Sequence, residues 1–256
     1  MTEFPLDRDK SYGLVLEGGG ARGAYQIGAW KALREAGISI SAVAGTSVGA
    51  LNGALICMDD LELAENIWKN ISRSQVMDVE GGLRGFIRTV KNGGLDVTPL
   101  RRLIEESVDE TRIRNSHKEL YAVTYSLKDH APLVVDIKRL PEGEMARMLL
   151  ASAYLPGFKR EAQGGERYFD GCLANNVPVD VLIDRGYKDI IVIRIYGQGV
   201  DTEKHLAIPE DVRLYHVAPR VSLGGILKFD GKRARRNMAL GYSDAWGVLR
   251  KPACAP

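Results

Sequence analysis

Apolar runs alternate with amphipathic stretches along most of the chain. Tyr12–Glu17 (YGLVLE) is short and almost continuously apolar, which predicts a strand buried on both faces. The next stretch, GAYQIGAWKALREAG, places Ile27, Trp30 and Leu33 at helical spacing and stops at Gly37, a natural residue just past a helix end. A second β-branched run, Ile38–Gly45 (ISISAVAG), leads straight into a second helix that opens SVGALNGALICM. Strand, turn and helix repeated in that order predict parallel strands covered by helices.

The middle of the chain is less regular. TPLRRLIEESV predicts a helix with Thr98 as N-cap and Pro99 in its first position. LYAVTYSL and APLVVDI, joined by KDH, predict a hairpin. A helix from about Glu142 to Ala153 leads into YLPGF, and VPVDVLIDRG predicts a short helix with Pro178 in its first turn and Gly186 as its stop. DIIVIRIY and RLYHVA predict two further strands, and a long helix is expected from about Gly231 to Leu249. There is no internal repeat and no low-complexity linker. The expectation is one domain over residues 1–256, α/β in class, with three α/β/α layers around a central mixed, mostly parallel sheet.

Composition narrows the function classes. Thirty-five Lys and Arg against 33 Asp and Glu leave a formal net charge of +2, which argues against a dedicated nucleic-acid binder. Cys57, Cys172 and Cys254 are far apart with no CxxC pair, so neither a disulfide framework nor a zinc site is expected, and a reducing compartment is the simpler reading. The first residues, MTEFPLDRDKSYG, lack the basic and apolar regions of a signal peptide, and no apolar run reaches the roughly 20 residues that span a bilayer. A cytoplasmic protein is expected, any membrane contact being made at the surface.

Two glycine motifs carry the chemistry. Gly18-Gly19-Gly20-Ala21-Arg22-Gly23 follows the first strand and opens the first helix, where free backbone N–H groups gather at a positive helix end. It satisfies G-x-G-x-x-G, but a dinucleotide site also needs a carboxylate at the end of the second strand, and that strand ends AVAGTS. The position carries Ser47 instead, within Gly45-Thr46-Ser47-Val48-Gly49. This is the G-x-S-x-G of a nucleophile elbow, in which Gly45 and Gly49 permit a turn too tight for side chains. On adjacent parallel strands both turns reach one sheet edge. The N–H groups of Gly19 and Gly20 then face the carbonyl that Ser47 attacks, and the loop reads as an oxyanion hole.

With these motifs the chain resembles the patatin-like phospholipases, serine lipid acyl hydrolases that use a Ser–Asp dyad. The family's Asp-Gly block is present as Asp170-Gly171 in RYFDGCLANNVPV, with Cys172 where the family often has glycine or alanine, and ASAYLPGF (Ala151–Phe158) is similar to the block that precedes it. The resemblance covers most of residues 12–196 and is loose over the last 60. It implies Ser47 as nucleophile and Asp170 as base, with Gly19 and Gly20 as oxyanion donors and Arg22 as electrostatic support. Gly18, Gly23 and Gly171 complete the motifs. It further implies a lipid ester substrate and neither cofactor nor metal. An aspartate of ordinary pKa, about 3.9, is a poor base in water, so such a site must be drier than bulk.

Other readings stay open. Asp-Gly is also a common turn. A Ser–Asp–His triad has His205, in DTEKHLAIPE, as its better candidate and His216, inside RLYHVA, as its weaker one. A non-catalytic relative that only holds acyl chains is the alternative from a different class. Two stretches bear on membranes. In GLRGFIRTVKNGG, over residues 82–94, Leu83, Phe86, Ile87 and Val90 form a helical stripe opposite Arg84, Arg88 and Lys91, which suits a lid or surface contact but suits core packing better. Lys228, Lys232, Arg233, Arg235 and Arg236 form a basic cluster whose commoner explanation is a solvated helix face.

Overall fold

A computed structural model of the chain describes residues 6–77, 94–155, 158 and 166–250. Seven strands pair into one sheet: β1 (Ser11–Leu16), β2 (Ser39–Thr46), β3 (Glu119–Ser126), β4 (Ala131–Asp136), β5 (Tyr168–Asp170), β6 (Asp189–Ile193) and β7 (Arg213–Val217). The order across it is β4-β3-β2-β1-β6-β7, with β5 also on β3. From β3 to β7 all neighbours are parallel, whereas β4 and β5 run antiparallel to β3.

Parallel neighbours require crossovers, and helices supply them. α1 (Ala24–Glu35) joins β1 to β2. The crossover from β2 to β3 carries α2 (Val48–Cys57), α3 (Leu61–Asn70), α4 (Thr98–Ser107) and α5 (Glu110–Asn115). α6 (Met145–Ser152) precedes β5, α7 (Val179–Ile183) precedes β6, and α8 (Gly231–Leu249) follows β7. Alternation along the strands sorts the core into two layers. Leu14, Leu16, Val43, Ile191 and Ile193 pack with α1, α2 and α8 on one face, while Val15, Ala42, Ala44, Ile190 and Val192 face α7 on the other. The fold is three-layered α/β/α with a mixed, mostly parallel sheet, as the pattern predicts.

Local expectations are met where the signal is local. α1 stops at Gly37, whose φ is +73°, with Ile38 N–H closing on the Leu33 carbonyl at 3.0 Å. The expected hairpin is β3–β4. α4 differs by one residue: Thr98 is already helical and Val97 is the N-cap, because Asp96 Oδ1 accepts the Thr98 N–H at 2.9 Å. α6 begins at Met145 rather than near Glu142, since Gly143 takes a left-handed φ of +84° that no helix continues through. α3 and α5 carried no expectation; Asp60 and Asp109 cap them by accepting the N–H of Leu63 and Arg112. The stripe from Leu83 to Val90 lies outside the described residues. Among those described, no helix is long and apolar enough to cross a membrane.

Candidate active site

β2 and β5 meet end to end on β3. β2 runs alongside β3 as far as Thr46, which pairs with Val123, and β5 comes the opposite way and stops at Asp170, which pairs with Thr124. Ser47 and Asp170 therefore leave neighbouring rungs of one strand, and Ser47 Oγ donates to Asp170 Oδ2 at 2.6 Å.

Ser47 takes φ 56° and ψ −126°, a conformation that costs a side-chain-bearing residue about 1–3 kcal/mol. Two anchors hold it there. Its N–H donates to Ser152 Oγ at 2.9 Å, and that hydroxyl donates in turn to the Val123 carbonyl at 2.6 Å. Its carbonyl accepts the N–H of Ala50 and Leu51, which starts α2 and places the hydroxyl at the positive end of that helix. Gly45, Gly49 and Gly171 stand where an added Cβ would come within 2.5 Å of a backbone atom, so the chain passes there only with glycine; at Gly18 and Gly23 it would meet the side chains of Asn176 and Val48.

Asp170 is fully buried. Burial lifts its carboxyl from 3.8 to about 6, against the opposing pull of hydrogen bonds from the Ser47 hydroxyl and the Cys172 backbone. The Cys172 N–H reaches its Oδ1 at 2.8 Å. Burial also pushes the neighbouring Cys172 thiol well above its usual range, with the Asp170 charge adding to the effect. A carboxylate that binds its proton near neutrality is a far better general base than an exposed aspartate.

The glycine loop lies alongside. Gly18 N–H donates to the Asn176 carbonyl at 3.1 Å and Ala21 N–H to the Ile226 carbonyl at 2.7 Å. Between them, the N–H groups of Gly19 and Gly20 have no acceptor among the described residues. Gly20 has φ +53° and lies so close to Ile226 that a Cβ would meet its carbonyl oxygen at 2.3 Å. Arg22 directs its guanidinium to the carbonyls of Gly224, Ile195 and Tyr196, not to Ser47. It braces the loop against the chain that follows β6 and β7.

Residues that the sequence left unremarked complete the support. Glu17, buried at the end of β1, accepts the backbone N–H of Ile195, Tyr196 and Gly197 at 2.7, 3.0 and 2.9 Å, and pairs with Arg194 at 3.1 Å. Its backbone carbonyl accepts Gln26 Nε2 at 2.7 Å; Gln26 Oε1 accepts from Asn52, and Asn52 Oδ1 accepts from Trp68 Nε1 at 3.0 Å. A carboxylate closing an apolar strand, and amides inside apolar helices, are the signals that mark such a network.

Ser47 and Gly20 open onto an apolar pocket. Val48, Leu51 and Leu55 of α2, Trp68 of α3 and Leu100, Leu103 and Ile104 of α4 line it, and Leu227 and Phe229 border it from the chain after β7. No histidine joins the pair. His216 Nε2 pairs with Glu203, which also holds Arg194, and His205 is exposed. Both Asp170 oxygens already accept, from Ser47 and from Cys172.

Residues 14–183, which contain the glycine loop, Ser47 and Asp170, match the family described as patatin-like phospholipase. The chain belongs to that family. Among relatives, it is 30% identical over 206 residues to the neuropathy target esterase sws of Drosophila melanogaster, a match covering 75% of this chain and 13% of that protein. It is 62% identical over 50 residues, 20% of this chain and 3% of the other, to the lysophospholipase nte1 of Aspergillus terreus. This patatin-like chain thus spans only a small part of the length of those relatives. Among solved structures, VipD from Legionella pneumophila has the same fold, with a TM-score of 0.59 at 16% identity over 93% of this chain and 66% of that one.

Proposed function

We propose that this chain is a carboxylic ester hydrolase of lipids, of the phospholipase A or lysophospholipase type, that works through a Ser47–Asp170 dyad. The observation that carries the reading is the 2.6 Å bond from Ser47 Oγ to Asp170 Oδ2 beside an apolar pocket. Ser47 Oγ attacks the ester carbonyl as its proton passes to Asp170 Oδ2. The oxyanion forms against the N–H groups of Gly19 and Gly20, each such donor contributing about 3–4 kcal/mol in the transition state. Collapse expels the alcohol, which takes the proton from Asp170, and leaves the acyl group on Ser47. Water then repeats the sequence: Asp170 takes its proton, the new tetrahedral centre collapses, and the acid leaves as Ser47 regains its hydrogen. The acyl chain lies along Leu51, Leu55, Leu100 and Ile104, and the head group of a (lyso)phospholipid or acylglycerol stays outside. Arg22 acts through the loop it braces. The esterase and lysophospholipase relatives support an ester substrate.

The deciding experiment is the intact mass of the protein after a long-chain fluorophosphonate, followed by peptide mapping. One adduct on Ser47, lost in Asp170→Asn and kept in His205→Ala, is expected. No adduct on folded protein would reject the hydrolase and favour a protein that only holds acyl chains; loss in His205→Ala would favour a triad. The base must be ionised to act. kcat/KM for a neutral short-chain ester should therefore fall about tenfold per pH unit below about 6 and level off above it. A profile flat from pH 4.5 to 7.5 would remove Asp170 from the base role.

A further inference from the structure

Among the described residues, the exposed large hydrophobic side chains are Leu173, Tyr196, Val200, Val221 and Leu227, each 41–56% exposed. Such residues scattered singly mean little, but these gather at one edge. Tyr196 and Val200 follow β6, Val221 and Leu227 follow β7, and Leu173 comes three residues after Asp170. Val200 N–H donates to the Cys172 carbonyl at 2.8 Å, which sets it beside Leu173. Ala21 N–H on the Ile226 carbonyl sets Leu227 beside the oxyanion loop, and Leu227 also lines the pocket. Tyr196 is held at φ +49°, against the preference of a side-chain-bearing residue, by Glu17 on its N–H and Arg22 on its carbonyl.

The charge beside this rim is one-sided. From Arg220 to Arg236 the chain carries Arg220, Lys228, Lys232, Arg233, Arg235 and Arg236 against the single carboxylate of Asp230, although the whole protein is only +2. Arg236 reaches the Ser222 carbonyl at 3.3 Å and Arg233 the Gly225 carbonyl at 3.4 Å, so the start of α8 lies against the loop that bears Val221 and Leu227. The carboxylates near it are engaged: Asp230 caps α8, Asp244 pairs with Arg220 at 3.4 Å, Glu65, in one pocket with Arg235, holds Lys31 and Lys69, and Glu35 beside it accepts from Tyr242 at 2.6 Å. Lys228 and Lys232 are exposed.

We infer that this face docks on an anionic lipid surface, an inference that rests on the lipid-hydrolase reading for its purpose. Tyr196, Val221 and Leu227 enter the head-group boundary, and the basic run at the start of α8 engages phosphates. The pocket then opens onto the surface, and an acyl chain passes from lipid to pocket without crossing water. An acidic protein would match the charge but has no use for an apolar rim continuous with an apolar pocket.

The test uses the full chain carrying Ser47→Ala, so that vesicles survive. Its co-sedimentation is compared on phosphatidylcholine vesicles and on vesicles with roughly a third phosphatidylglycerol, a content that makes the surface strongly negative. Strong binding to the anionic vesicles only, weakening as salt rises, is expected. Adding Val221→Asp, Lys228→Glu and Lys232→Glu should weaken that binding about tenfold or more. The same three changes with Ser47 intact should leave hydrolysis of a water-soluble short-chain ester unchanged. Parental binding by the triple variant overturns the inference, as does equal binding to both vesicles or to neither; binding to neither would turn attention to an acidic protein. The vesicle measurement does not need catalysis. A protein that forms no phosphonate adduct yet binds anionic vesicles would lose the hydrolase reading and keep the docking face.

Discussion

Asp170→Asn is expected to lower ester hydrolysis by about three to four orders of magnitude while making the fold more stable at neutral pH. The amide fits the same space. Its oxygen can accept the Cys172 N–H now taken by Oδ1, and its NH2 can donate to Ser47 Oγ in place of accepting from it. What is lost is the proton acceptor. What is gained follows from the carboxyl's rise from 3.8 to about 6. The folded state binds this proton more tightly than the unfolded chain, so stability falls as pH climbs between those values. The burden carried above pH 6 is at most about 3 kcal/mol. The variant should melt higher than the parent at pH 7, by roughly 5 °C, with the difference shrinking toward pH 4. Calorimetry at both pH values, with kcat/KM on a short-chain ester, checks both halves. Activity within tenfold of the parent would dismiss Asp170 as the base, and a lower melting temperature at pH 7 would contradict the burial argument.

Gly49→Val is expected to cost more stability than any surface change, about 3 kcal/mol or more. A Cβ at Gly49 would lie 2.2 Å from the Leu16 carbonyl oxygen and 2.8 Å from its carbon, and both are backbone atoms of the central strand β1. Nothing there can rotate aside. The strand or the elbow must move, and either shift carries Ser47 away from Asp170, so activity should vanish together with about 10 °C of Tm. Gly225→Ala is the control. Its Cβ would meet only the flexible Lys228 side chain, at 3.6 Å, and its melting temperature should match the parent's. Equal melting of Gly49→Val and parent would mean the elbow is looser than its contacts imply.

The parts of the site legible in the sequence are those whose requirements are local. Gly45 must be glycine because the turn folds back on Gly49 and Ala50, and Gly49 because the backbone of Leu16 lies against it; only the first reason is local, but both glycines fall in one pentapeptide, so the elbow announces itself within five positions. β1, α1, β2 and α2 were legible for a similar reason: burial of a strand on both faces, or of one helix face, leaves its period in consecutive residues. β5 has three residues, too few to show a period, and Asp170 was assigned through family resemblance and not through any pattern of its own. The supports of Ser47 were silent. Ser152 looks like any small residue in a helix until it accepts the Ser47 N–H from 105 positions away. Arg22 was expected as electrostatic support for the oxyanion, and its guanidinium reaches carbonyls more than 170 positions along the chain.

By itself, then, the sequence determined most of the strands and helices, the serine elbow, the glycine loop and the family, since each is written in residues adjacent in the chain. Only the tertiary structure decided which groups share the site. The convergence of β2 and β5 on neighbouring rungs of β3 brings Ser47 to Asp170 and buries the carboxyl. Glu17 and Arg22 grip the segment from Ile195 to Gly197, and Leu227, exposed after β7, lines the pocket beside Ser47. These relations are distances between remote segments, and hydrophobic periodicity is blind to them because it records which face of an element is buried, not what that face meets.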